Sequence, residues 1–162
     1  MNNQMMEDLD KIDYQILRLL QENSNITNLS LSKKIGLSPA PTLERVKKLE
    51  KNGVIKSYHA EVDPLSLGLT VKTFILVNIG WHKEKASENF LRKVNEIDEV
   101  AECNIITGDG DFLLKVICKD LQAYQNLLFN VLSQIPEVER LKTLMTLSTV
   151  KNRKVLPLNY DA

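Results

Sequence analysis

The chain has 162 residues, of which 43% are hydrophobic and 26% are charged, so it can bury a core and is too apolar to be disordered throughout. Twenty-one basic residues balance twenty-one acidic ones, and the total charge therefore gives no sign of a nucleic-acid partner. Cys103 and Cys118 are too few and too far apart for a disulfide scaffold or a four-ligand zinc site, which favours buried free thiols.

No targeting or membrane segment is predicted. The first thirty residues mix acidic and apolar side chains, and no apolar stretch approaches the roughly 20 residues of a membrane-spanning helix. His59 and His82 are isolated, and no serine or cysteine lies in a nucleophile motif. We therefore expect a soluble cytoplasmic protein that is not an enzyme, with no catalytic residue, no metal, no membrane contact and no cofactor other than a possible amino-acid effector.

The N-terminal third predicts three short helices. Apolar residues repeat every three or four positions from Leu9 to Leu20, with Asp8 or Asp10 as the N-cap. A second helix is expected over Asn28–Ile35, where Gly36 supplies the permissive backbone that a sharp helix end requires.

The third helix has the clearest start signal. Ser38 can cap it, while Pro39 and Pro41 lie in the first turn, where a missing N–H costs nothing. This helix should run to about Asn52, with an inward-facing stripe made of Leu43, Val46 and Leu49.

The rest of the chain changes character. Val54–Val62 alternates as a strand would and is interpreted as a hinge strand. It is followed by strands at Val71–Ile79, Val100–Thr107, Phe112–Cys118 and Val138–Val150, and by helices at Glu84–Asn95 and Leu121–Gln134. This βαββαβ order predicts an α+β ferredoxin-like domain. We expect a three-helix winged helix-turn-helix domain over residues 1–53, a hinge strand and linker over 54–68, and a ferredoxin-like effector-binding and oligomerisation domain over 69–162.

Two features of the predicted sheet indicate an oligomer. The apolar residues of the last strand do not alternate cleanly, which suggests that both faces of this strand are covered. A ferredoxin-like sheet also carries helices on one face only, so its other face needs a cover. A second copy of the chain is the expected cover, which makes the protein a homodimer at minimum.

Basic charge is concentrated on the second and third helices. Residues 28–58 carry a net charge of +5 in an otherwise acidic chain. A short helix, a tight turn at glycine and a following helix with small residues at its tip are typical of a helix-turn-helix that enters the major groove of double-stranded DNA. The predicted DNA contacts are Lys34, Ser38, Pro39, Ala40, Pro41, Thr42, Arg45, Lys48 and Lys51, with Arg45 as a guanine reader and the lysines near phosphates.

Several segments resemble the leucine-responsive/asparagine-regulator (Lrp/AsnC) family of transcription regulators. The similar segments are residues 9–17, 36–41 and 43–50, the hinge residues 53–58 with Asp63 and Pro64, and the hairpin 107–115. The resemblance covers residues 9–151. It implies a DNA-binding transcription regulator that is modulated by an amino-acid effector and whose dimers associate into tetramers or octamers.

The same resemblance places an effector pocket at the hairpin. Glycines there allow a ligand close to the backbone, and aspartates could accept from an ammonium, although a plain β-turn has the same composition. The family usually has an aromatic residue where this chain has Gly110, which puts the specificity of the pocket in doubt. The residues expected at the pocket are Ile105, Thr107, Gly108, Asp109, Gly110, Asp111 and Glu139.

Two alternative functions remain open at this point. The chain could be a DNA-architectural protein of the same build that responds to no effector. It could also be a small-molecule-binding module that regulates an enzyme, although the basic, proline-started segment from Ser38 to Glu50 argues against this.

Overall fold

The computed structural model describes residues 9–80 and 85–158. The chain forms two compact units. Unit 1 contains the residues up to Glu61 together with the segment from Lys151 onward, and unit 2 contains Val62–Val150. Within the described residues, no helix is long and apolar enough to cross a membrane.

Unit 1 is built on three helices, α1 (Lys11–Glu22), α2 (Asn28–Ile35) and α3 (Pro39–Lys51), and all three match the predicted segments. Their apolar faces meet in a small core of Ile16, Leu31, Ile35 and Leu49. Asp10 caps α1 by accepting from the Asp13 N–H, and the Asp13 side chain accepts from the Asp10 N–H in return. This reciprocal pair is a capping box, with aspartate in place of the more common glutamate.

The start of α3 differs from the prediction in two details. Ser38 is at the N-cap position with extended backbone, but its side chain makes no capping hydrogen bond. The reason is that Pro41 occupies the third helical position, where the N–H that a capping serine usually receives is missing. Thr42, not Leu43, faces the core: Thr42 is fully buried, whereas Leu43 is 42% exposed.

The predicted hinge strand is wrong for the single chain. Residues 54–63 form no β-ladder, and the only regular element between α3 and the first strand is a 3-10 turn at Leu65–Leu67. A strand needs a neighbour for its backbone groups, and among the described residues this segment has none. The segment is instead held through its first residues, because the N–H groups of Val54 and Ile55 both donate to Leu49 O.

Unit 2 has the predicted βαββαβ order. Its elements are β1 (Val71–Ile79), α4 (Ala86–Val94), β2 (Val100–Ile105), β3 (Phe112–Cys118), α5 (Leu121–Asn126) and β4 (Val138–Met145). All strand pairs are antiparallel, in the order β2-β3-β1-β4. The sheet therefore has the ferredoxin-like topology expected from the sequence.

One face of the sheet holds the core of unit 2. The residues at alternate positions of β1 and β3 are buried there beneath the helices, for example Ile75, Val77 and Leu114. Phe90 of α4 packs on Phe112 of β3, with their ring centroids 4.6 Å apart. This core holds β3 in place, and β3 in turn positions the hairpin that joins it to β2.

A bulge explains the irregular pattern of β4. Ile79 pairs with Val138 and Val77 pairs with Leu141, so Glu139 is an extra residue in β4. Val138 and Leu141 consequently both pack against the helix-side core, although they are three positions apart. The broken alternation that we attributed to a covering partner follows in part from this bulge.

The last predicted helix, Leu121–Gln134, is continuous but not uniform. After α5 it widens to a π-helix at Leu127–Val131 and tightens to a 3-10 turn at Leu132–Gln134. The Phe129 carbonyl accepts from the side chains of Ser133 and Gln134. These side-chain donors lie where the helix changes from π to 3-10 geometry.

The segment from Lys151 onward belongs to unit 1 and not to the 69–162 domain predicted for it. The Leu156 N–H donates to Gln21 Oε1 at 2.7 Å, and Lys154 pairs with Glu61 at 3.1 Å. These contacts tie the segment to α1 and to the last residue of the N-terminal part of unit 1. Chain order alone could not reveal such a return.

Candidate DNA-binding and effector sites

The turn between α2 and α3 is fixed by backbone geometry. Gly36 ends α2 in the left-handed region, with φ of 73°, and the Leu37 N–H donates to Ser32 O at 3.0 Å. The Asn28 side chain donates to Pro39 O at 2.8 Å, which ties the start of α2 to the start of α3. The two helices are therefore joined by a tight turn with a defined crossing, as a helix-turn-helix requires.

The tip of α3 is exposed and carries only small or cyclic side chains. Ser38, Pro39, Ala40 and Pro41 are all exposed. Thr42 is not available for DNA contact as predicted, because its side chain is fully buried and its hydroxyl donates to Ser38 O at 2.9 Å. Thr42 therefore stabilises the first turn from inside, where two prolines have removed backbone donors.

Arg45 lies beside the start of α1. Its Nη1 is 2.8 Å from Asp10 Oδ2 and 2.8 Å from Asp13 Oδ1, and its side chain is one-third exposed. The hydrogen bond to Asp13, then that to Asp10, raises the pKa of the guanidinium above its usual value. The predicted guanine reader thus has two carboxylate partners within unit 1.

Exposed lysines lie in the last turns of α2 and α3. Lys34 is in the last turn of α2, and Lys48 and Lys51 are in the last turn of α3. The acidic Glu50 between them accepts a hydrogen bond from Tyr58 Oη at 2.8 Å. Burial and the Glu50 carboxylate raise the pKa of Tyr58 to about 12, so the phenol remains a donor at neutral pH.

The predicted effector hairpin joins β2 to β3. Gly108 has φ of 114°, which a side chain would strain, and Thr107, Gly108 and Asp109 are all exposed. The Asn78 side chain donates to Asp109 O at 3.3 Å, and this contact connects the turn to β1. Within the hairpin turn, the exposed residues of the predicted pocket are therefore Thr107, Gly108 and Asp109.

Gly110 and Asp111 contact strand β1. Gly110 is buried, and a Cβ added there would lie 3.3 Å from Leu76 Cδ2 and 3.5 Å from Val77 O. Asp111 Oδ2 accepts from the Ile79 N–H at 2.8 Å. The close approach that we predicted for a ligand at Gly110 is thus an approach to β1, and the Asp111 carboxylate has a backbone partner.

The remaining two predicted pocket residues lie in different places. Ile105 is 71% exposed at the end of β2, next to the hairpin. Glu139 is the bulged residue of β4, and β1 and β3 lie between β4 and β2 in the sheet. Glu139 is nevertheless opposite Asn78 and Ile79 of β1, which both hydrogen-bond to the hairpin, so it lies at the same end of the sheet with β1 between them.

Sequence reasoning missed three polar residues near these sites. Asn28 and Asn78 each hold a loop, and Glu137 is 9% exposed with no hydrogen-bond partner for Oε2 among the described residues. An asparagine within the apolar run of β1 was the one available signal. Within residues 9–80 and 85–158 no three His, Cys, Asp or Glu side chains are grouped as a metal site.

These features define a class of protein, a helix-turn-helix DNA-binding regulator with an attached ferredoxin-like sensing domain. Two family models match the chain in agreement with this class. The model for a winged helix-turn-helix DNA-binding domain matches residues 9–56, and the model for the Lrp/AsnC ligand-binding domain matches residues 72–156.

Relatives and solved structures agree. The transcriptional regulator AzlB of Bacillus subtilis is 38% identical over 151 residues, which cover 93% of this chain and 96% of AzlB. The leucine-responsive regulatory protein of Escherichia coli is 38% identical over 152 residues, which cover 93% of each chain.

A Neisseria meningitidis transcriptional regulator, solved as a complex with L-Met, superimposes with a TM-score of 0.90 at 36% identity, covering 93% of this chain and 97% of that one. Escherichia coli AsnC gives a TM-score of 0.83 at 31% identity, covering 90% and 97%. The chain belongs to the Lrp/AsnC family of transcription regulators.

Proposed function

We propose that this protein binds specific double-stranded DNA sites through α2 and α3 as a homodimer or larger assembly, and that an amino acid bound at the β2–β3 hairpin modulates this binding. The observation that carries the proposal is the tip of α3. Four exposed small or cyclic residues, 38–41, project there, and basic residues occupy the last turn of α2 before the tip and the last turn of α3 at the far end of the helix.

The DNA contacts follow from exposure and charge. A helix tip without bulky side chains can approach the base edges of the major groove closely, and the proposed base-edge contacts are Ser38, Pro39, Ala40 and Pro41. The exposed Lys34, Lys48 and Lys51 are proposed to lie near phosphates, where they fix the register of the protein without reading sequence.

The effector proposal rests on the hairpin and on one neighbour. Exposed Gly108 leaves its backbone open to a carboxylate, and Asp109 offers an exposed carboxylate for an ammonium group. The structure from Neisseria meningitidis, which contains L-Met, has the same fold as this chain. We propose that Ile105, Thr107, Gly108 and Asp109 line the site, with Gly110 and Asp111 supporting it and Glu139 contributed from β4.

Assembly is proposed from the face of the sheet that lies away from the helices. Phe74 and Leu76 of β1, Leu113 and Ile117 of β3, and Leu144 of β4 share this face, and Leu144 is 46% exposed. The apolar side chains of this face, which they share with Lys72, Lys115 and Lys142, are stabilised when a second sheet covers them. A two-fold dimer would also place two helix-turn-helix units at fixed spacing on DNA, and tetramers or octamers could form from such dimers.

Binding-site selection from a random duplex pool, followed by titration with and without each standard amino acid at millimolar concentration, tests the proposal. Selection of a defined sequence, and a shift of its affinity by one or a few amino acids, is the expected result. If a defined sequence is selected but no amino acid changes the affinity for it, the protein is better described as a DNA-architectural protein. Amino-acid binding by calorimetry without DNA selection would favour a module that regulates an enzyme.

A further inference from the structure

Arg45 is bound at the start of α1 by two carboxylates that already have a structural task. Asp10 and Asp13 form the capping box of α1, and each also has an oxygen 2.8 Å from Arg45 Nη1. The Asp13 side chain is only 16% exposed, so its charge is partly removed from water. Arg45 Nη1 of α3 therefore contacts both carboxylates of the capping box of α1.

This geometry is poorly suited to end-on reading of a guanine. Nη1 lies within hydrogen-bond distance of both carboxylates, and an end-on bidentate contact to a base uses Nη1 together with Nη2, so such a contact would break both ion pairs. Breaking them would leave two adjacent carboxylates without their cation and close to DNA phosphates. Free energy would be lost once with the ion pairs and again through repulsion between the carboxylates and the phosphates. Hydrogen bonds from the Asp13 N–H and from Arg45 already hold the pKa of Asp10 below its usual value, so protonation does not relieve that cost near neutral pH.

The contact does fix how α3 lies on α1. Arg45 is six residues after Pro39 in α3, and Thr42 anchors the helix between them by its buried side chain. A charge-assisted contact near the middle of α3 sets the rotation of that helix about its own axis. Rotation decides which of the tip residues 38–41 faces the bases.

We propose that Arg45 is a positioning residue for DNA recognition, which acts through Asp10 and Asp13 of α1 to set the rotation of α3, and that it does not read a base. This inference rests on the proposed function, because it takes α3 as the DNA-contacting helix. It assigns a role in sequence preference to two aspartates that are not among the predicted DNA contacts.

A double-mutant cycle tests the inference on the full-length chain. Arg45→Ala, Asp13→Ala and the double variant are compared with wild type on the selected duplex, on its single-base-pair variants, and over a range of salt concentrations. Lys48→Ala on the same helix is the matched control for loss of a phosphate contact. Thermal unfolding by circular dichroism sets a temperature at which every variant is fully folded.

If Arg45 positions α3, each single variant should weaken binding by a similar factor, on the order of tenfold, and the double variant by no more than either alone. Sequence preference should weaken at several base pairs and not at one. The slope of log K against log salt concentration should stay at the wild-type value. Asp13→Asn retains one oxygen acceptor, which can serve the cap or Arg45 but not both, so it should lose less than Asp13→Ala.

Either of two results would overturn the inference. If Arg45→Ala relaxes the preference at one base pair while Asp13→Ala binds as wild type, Arg45 reads that base. If both folded variants bind with wild-type affinity and preference, the cluster only stabilises unit 1. A wild-type protein that selects no DNA sequence would instead refute the proposed function itself.

Discussion

The carboxylate of Asp111 accepts a hydrogen bond from the backbone N–H of Ile79 at 2.8 Å, and this contact holds the end of the β2–β3 hairpin against the end of β1. Asp111→Ala should lower the free energy of unfolding by about 1–3 kcal/mol, because it leaves the Ile79 N–H without its acceptor. Asp111→Asn keeps an oxygen acceptor and should lose less. Urea unfolding measures both, with exposed Asp109→Ala as the control expected to stay within about 0.5 kcal/mol of wild type.

The two glycines of the hairpin should respond differently to alanine. Gly108→Ala should cost about 1–3 kcal/mol although no atom lies within 4 Å of the added Cβ, because φ of 114° strains any side chain. Gly110→Ala should cost less, since its closest contact is the flexible end of Leu76 at 3.3 Å. Thermal unfolding of the two variants decides the order, and a more destabilised Gly110→Ala would contradict this account of the hairpin.

Tyr58 should make the stability of the protein fall at high pH. Its pKa is about 12 in the folded protein and about 10 when unfolded, so the folded state holds the proton more tightly. The stabilising effect is complete below about pH 10 and is lost as the pH rises towards 12. Tyr58→Phe should flatten this decline in stability. In a pH titration followed by tyrosinate absorbance, the transition at the highest pH should disappear from this variant. An unchanged titration curve in Tyr58→Phe would show that another tyrosine is responsible.

Lys48→Ala should weaken binding to all DNA sequences alike. If Lys48 lies near a phosphate, its removal lowers the slope of log K against log salt by about 1 for each bound subunit. Fluorescence anisotropy at several salt concentrations gives this slope. Lys119→Ala changes an exposed lysine of unit 2 and is the control expected to leave the slope unchanged. If the two variants have equal slopes, Lys48 does not contact a phosphate in the complex.

Leu113→Lys should dissociate the proposed dimer. Leu113 pairs with Leu76 on the sheet face away from the helices, and a buried, unpaired ammonium there costs far more than the lost apolar contact. Sedimentation equilibrium should shift from a dimer or larger species to the 18.5 kDa monomer. Gln122→Lys, on the exposed side of α5, should leave the assembly intact. A wild-type protein that sediments as a monomer would refute the assembly proposal.

Local signals in the sequence predicted local structure well. α2, β1 and β3 have the predicted bounds, because a glycine stop ends α2 and mainly apolar runs define the two strands. The ferredoxin-like topology also followed, since the order of elements and the handedness of crossovers leave few arrangements.

Features that depend on distant partners could not be predicted in this way. Whether Thr42 or Leu43 faces the core depends on the crossing of α1 and α3, and the partners of Arg45 are 32 and 35 positions away in sequence. The hinge was predicted as a strand because alternation indicates a pleated segment, but alternation does not reveal whether a neighbouring strand exists. At the hairpin, composition alone did not distinguish a ligand-facing glycine from one that faces β1.

Unit 1 is discontinuous in sequence, since residues up to Glu61 are joined by the segment from Lys151 onward. During synthesis, the three helices leave the ribosome well before the residues that bind Gln21 and Glu61, and all of unit 2 is made in between. For the same reason, a fragment ending at residue 61 would lack contacts that the full chain has, and an isolated DNA-binding domain should be built with residues 151–158 attached through a linker.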